Sequence, residues 1–82
     1  MSISYKLTKD LVGRAAAQLS WKLSEINSGV SIAKTKIING KSLVGVLSGH
    51  FRFNDIVTVT FVNAEEVEAI KEIFAEVGDI NE

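Results

Sequence analysis

Eighty-two residues, with nine Lys and Arg against ten Asp and Glu for a net charge of -1, suit one small domain spanning 1–82 and leave no room for a second. The near-neutral balance removes the basic footprint that direct nucleic-acid binding needs, and a chain without cysteine has neither disulfides nor thiolate metal ligands. No window approaches the roughly 18 to 20 apolar residues of a membrane span, and Met1 to Leu7 lacks the apolar run of a secretory leader, so the expectation is a soluble cytoplasmic protein.

From the amino terminus, Ile3, Tyr5 and Leu7 alternate with Ser2, Ser4 and Lys6, the period of a half-buried strand ending near Thr8. From Arg14 to Asn27 the apolar residues Ala16, Leu19, Leu23 and Ile26 recur at three and four, which predicts an amphipathic helix with Gly29 as its stop. Val30, Ile32 and then Ile37-Ile38-Asn39, with Thr35-Lys36 between, read as a short hairpin. Ser42 is placed to cap a short helix running to about Gly49. Asp55 to Val62 is rich in β-branched residues between Asn54 and Asn63, a strand. Asn63 stands three residues before Glu66 in a capping-box pattern, and Val67, Ile70, Phe74 and Val77 repeat at helical spacing up to Gly78. The order βαββαβα predicts an α+β fold, a four-stranded antiparallel sheet with three helices on one face.

Few residues offer chemistry. No catalytic triad, facing acid pair or metal cluster is visible. Glu65, Glu66, Glu68, Glu72 and Glu76 concentrate on the last helix, where a solvated face explains them. Gly40-Lys41-Ser42 ends like a P-loop, but the glycine needed five residues earlier is Thr35. His50, the single histidine, reads as a surface residue because it lacks a neighbouring partner in the sequence. No cofactor is implied. Trp21 lies about 140° around the helical wheel from Ala16, away from the Leu19, Leu23 and Ile26 stripe, so it is expected to point outward.

Two segments carry a resemblance. Leu11-Val12-Gly13-Arg14-Ala15-Ala16 resembles the active-site Ile-His-Ala-Arg-Pro-Ala of the histidine-containing phosphocarrier protein HPr, and Gly40-Lys41-Ser42-Leu43-Val44-Gly45-Val46-Leu47-Ser48 resembles that family's Lys-Ser-Ile-Met-Gly-Val-Met-Ser. The resemblance implies an HPr-like open-faced β-sandwich. It places Val12 where the family has its phosphorylated histidine, Ala15 where it has proline, and makes Gly13 and Arg14 phosphate contacts. It also makes Ser42 a candidate for phosphorylation by an HPr kinase. Leu43, Val44 and Leu47 match an apolar docking patch, to which Trp21 and Phe51 are added, while Phe53 falls with Phe51 in a loop where relatives have glycine.

Phosphoryl transfer through imidazole needs a nitrogen lone pair, and Val12 has none. The expectation is therefore a non-enzymatic regulatory or binding protein, tied to the sugar phosphotransferase system or to catabolite control through Ser42 and a LacI-type repressor. The departure from the catabolite-repression members is that their site position is a polar glutamine. Two other readings remain open at this point: a phosphocarrier working through another residue, and an interaction domain unrelated to sugar transport.

Overall fold

A computed structural model describes residues 1–81. In chain order the elements are β1 (Ser2–Leu7), α1 (Gly13–Leu23), β2 (Val30–Ala33), β3 (Ile37–Asn39), α2 (Leu43–Ser48), β4 (Ile56–Phe61), a 3₁₀ turn (Ala64–Glu66), α3 (Val67–Phe74) and β5 (Gly78–Ile80). One antiparallel sheet runs in the order β3-β2-β4-β1-β5. Alternation decides its faces: Tyr5, Leu7, Ile32, Val57, Val59 and Phe61 point into the core beneath the helices, while Ser4, Ser31, Thr58 and Thr60 line the open side. Helical spacing supplies the other half of the core through Leu19, Leu23, Ile70 and Phe74.

The α+β class holds, with five strands in place of four. β5 pairs with β1 through Gly78 opposite Leu7, Asp79 opposite Lys6 and Ile80 opposite Tyr5. Three residues with one β-branched side chain carry no periodic signal, so this strand exists because β1 presents an edge to it.

Helix boundaries also move. α1 stops at Leu23, and the chain turns through Ser24 to Ser28 while Ile26 stays buried. Glu66 explains the turn, because its carboxylate accepts hydrogen bonds from the Asn27 N–H at 2.9 Å and from the Ser28 hydroxyl. Glu66 is thus drawn away from the reciprocal capping box, and Asn63 Oδ1 instead accepts from Glu65 N at 3.0 Å to cap the 3₁₀ turn. The Ser28 hydroxyl, the Asn27 amide and more distant Lys41 hold the Glu66 carboxyl below its ordinary pKa. β4 is one residue shorter at each end than the expected segment Asp55 to Val62.

Tyr5 and Phe74 stack at 5.1 Å between centroids across the sheet–α3 interface. The Tyr5 hydroxyl is buried without a hydrogen-bond partner among the described residues, and burial raises its pKa. A Lys22–Glu76 ion pair ties α1 to the turn that follows α3 and holds the Glu76 carboxyl low.

Candidate functional site

The segment entering α1 is held from below. Buried Leu11 donates its N–H to the Phe51 carbonyl at 2.9 Å, Asp10 Oδ1 accepts from Phe53 N at 2.7 Å, and Thr8 N donates to Val77 O at 2.8 Å. These bonds set Val12 on the surface in an extended conformation, φ -131° and ψ 161°. Its carbonyl accepts from Ala15 N at 3.1 Å, but its side chain caps nothing. Gly13 then takes φ +53°, which a side chain would occupy only with strain although no atom crowds the position.

α1 therefore begins with free N–H groups and the positive end of its dipole. Arg14 follows, exposed and without an ion pair among the described residues. The arrangement favours an anion. It supplies no nucleophile, because Val12 has only methyl groups to present.

The start of α2 is closed instead. Ser42 Oγ accepts from Gly45 N at 3.1 Å, and Ser42 O accepts from Val46 N at 2.9 Å, so the serine caps its helix as its chemistry predicts. The turn before it is fixed by Asn39, whose side-chain Oδ1 accepts from Lys41 N at 3.0 Å and whose carbonyl accepts from Ser42 N at 3.1 Å. Lys41 reaches across to the Ile26 carbonyl beyond α1.

Between these helices lies the apolar surface. Trp21 is 66% exposed and Val44 76%, with Leu43 and Leu47 each at 41%, so all four outward assignments correspond to accessible side chains. Trp21 stands at an open groove of about 570 Å³ formed by Ala17, Gln18, Ser20 and Ser24 on one side and Lys41 and Leu43 on the other. Val12, Gly13, Arg14, Val44 and Leu47 lie outside that groove. Sequence reading overlooked the groove's walls, although Ala17, Ser20 and Ser24 are small residues at three- and four-residue spacing, a signal of room beside a helix.

Phe51 is a correction. Expected on the docking patch, it is fully buried, and its ring passes so close to Gly49 that a Cβ there would stand 2.4 Å from it. It is the floor under the Leu11 segment, whereas Phe53 two residues on is 59% exposed. His50 is exposed with φ +51°, and its carbonyl accepts from Lys34 Nζ at 2.8 Å. Lys34 also binds Asp55 Oδ2 at 2.9 Å, and that hydrogen bond, followed by the one from Arg52 N, holds the Asp55 carboxyl below its usual range. Among the described residues no group of three His, Asp or Glu gathers as a metal centre, and no helix is long and apolar enough to cross a membrane.

The family model described as the PTS HPr component phosphorylation site matches residues 2–78. Among solved structures, one titled HPr-C-His from Thermoanaerobacter tengcongensis is similar at 27% identity and a TM-score of 0.78, over 94% of this chain and 88% of that one. A phosphocarrier protein HPr from Bacillus anthracis shares the fold at 24% identity and a TM-score of 0.79, over 94% and 93%. So does a histidine-containing phosphocarrier protein from Mycoplasma, at 21% identity and a TM-score of 0.80, over 93% of each chain. No curated protein sequence matches.

Proposed function

This chain belongs to the HPr family of the sugar phosphotransferase system, and on that premise we propose that it is a non-enzymatic regulatory or binding member that has given up phosphoryl acceptance. The observation that carries the reading is Val12: it stands exposed at the free amino end of α1, beside Arg14, with no atom able to form a bond to phosphorus. An anion cradle outlasting its nucleophile has no carrier role. The exposed Trp21, Leu43, Val44 and Leu47 remain as a surface for protein partners in the cytoplasm. Ser42 is the position for regulation. A phosphate there adds about -1.5 to -2 charges at the rim of that surface, where arginine of a LacI-type repressor would pair with it.

The test separates the two statements. Incubation with phosphoenolpyruvate and the general phosphotransferase enzyme leaves the mass of the protein unchanged, and Val12→His restores some acceptance if Gly13 and Arg14 still cradle phosphate. Acid-labile phosphate on the unaltered protein, on His50 for example, returns it to the carriers. HPr kinase with ATP modifies Ser42. If it does not, catabolite control drops out and the surface serves a partner unrelated to sugar transport.

A further inference from the structure

Resting on the reading of Ser42 as the position for regulation, we propose that Lys41 links a phosphate there to the groove beside Trp21. In the unmodified chain this side chain reaches from the start of α2 to the turn after α1, where Nζ donates to the Ile26 carbonyl. Phosphate on Ser42 draws the ammonium to itself, frees that carbonyl and takes the lysine away from the groove wall it helps to form. One side chain thus carries the modification to a second element.

Lys41 is the part free to move. Its backbone is fixed, because Asn39 Oδ1 accepts from Lys41 N at 3.0 Å and Asn39 O accepts from Ser42 N at 3.1 Å. The side chain is half-buried, and among the described residues its ammonium contacts a neutral carbonyl and no carboxylate within ion-pair distance. A phosphate of about -1.5 to -2 charges on the adjoining residue is the stronger acceptor, since both partners of the new bond are ionised. Glu66, which feels the Lys41 charge from further off, already accepts from Asn27 N and the Ser28 hydroxyl. The contest is between a carbonyl and a phosphate.

The turn supplies the response. Ser24 to Ser28 is clasped from two sides, by the Glu66 carboxylate at Asn27 and Ser28 and by Lys41 at Ile26. Loss of the second clasp leaves the Ile26 carbonyl to water and the turn to the Glu66 bonds alone, so its amides open more often. Trp21 and Ser24, on the opposite wall of the groove from Lys41, lead directly into this turn. Phosphorylation therefore alters the groove and removes a cation from its rim, besides adding charge beside the apolar patch.

Chemical synthesis of the 82-residue chain with phosphoserine at position 42 tests the coupling without any kinase. Relative to the unmodified chain, native-state amide exchange at Asn27 should quicken by about fivefold to tenfold, as expected for loss of one hydrogen bond from a charged donor, and the indole N–H resonance of the single tryptophan should shift. Lys41→Met keeps most of the stem and removes the charge. Its Asn27 amide should exchange at the faster rate before modification, and phosphate on Ser42 should then change neither the turn nor the indole; Lys41→Ala repeats the test with the stem removed. Phosphate that leaves Asn27 exchange and the indole unmoved overturns the proposal, as does an equal response in the two Lys41 variants. An HPr kinase that does not modify Ser42 would end the catabolite reading yet leave the coupling measured on the synthetic protein as it stands, so the two failures are distinct.

Discussion

α1 and α2 pack together yet begin in opposite ways. α1 is entered through an apolar side chain that caps nothing and a glycine at φ +53°, so its first donors are left to whatever approaches from solvent. α2 is entered through a serine whose oxygen already accepts from Gly45. A helix start that satisfies itself is a structural device, and one that does not is an opening for a ligand. The two starts therefore carry different weight: capping explains why a serine stands at residue 42, and the regulatory role proposed for it rests on modification by a kinase.

The largest effect should come from the residue that ties both starts to one support. Phe51 follows α2 and carries the segment that leads into α1, so Phe51→Ala opens a cavity beneath both and is expected to cost about 3–5 kcal/mol in denaturant unfolding. A loss below about 1 kcal/mol would mean that the floor collapses to fill the space. Next is Gly13→Val, which forces a β-branched side chain into the left-handed region and should destabilise by about 1–2 kcal/mol despite open space around it. An unchanged midpoint would show that α1 starts with another geometry.

Ser42→Ala sharpens the contrast directly: removing the Oγ that accepts from Gly45 should cost about 1 kcal/mol. The mirror experiment is Val12→Ser. It offers the uncapped helix an acceptor in an already extended backbone, and thermal unfolding should show a gain of up to about 1 kcal/mol. If the gain is absent while the Ser42→Ala loss is present, Gly13 has turned the first amides of α1 out of a cap's reach.

The smallest effect concerns acid. Asp55 has its pKa lowered chiefly by its hydrogen bond with Lys34, so its contribution to stability is complete above the unfolded carboxylate value of about 4 and disappears as pH falls through the lower folded value. The melting temperature should accordingly drop as pH is taken below about 4, and Lys34→Ala should flatten that part of the curve. Equal acid sensitivity in both proteins would assign the drop to other carboxylates, such as Glu66.

Periodicity made most of the elements readable in advance. Alternation in Ser2–Leu7 and β-branched density in Ile56–Phe61 mark strands by themselves, and the three- and four-residue spacing of α1 marks both a buried stripe and an outward Trp21. Ser42 was legible because a cap is a local bond spanning three residues. Glu66 was misread for the same reason: its spacing to Asn63 suggests a local bond, but Asn27 and Ser28, 39 and 38 residues away, outcompete it.

What the sequence determined by itself is whatever depends on neighbours within a few positions: helix and strand periods, the α2 cap, and the loss of any lone pair at residue 12. Tertiary structure alone decided the rest. β5 needed the free edge of β1, α1 was cut short by a carboxylate distant in sequence that the fold brings beside Asn27, and Phe51 went inward because Gly49 and the Leu11 segment leave its ring a place there. The groove beside Trp21 also has walls from two elements that no local pattern brings together. Local hydrogen bonds and side-chain period act over one or two turns, whereas edges, floors and grooves arise only when distant segments share the same space.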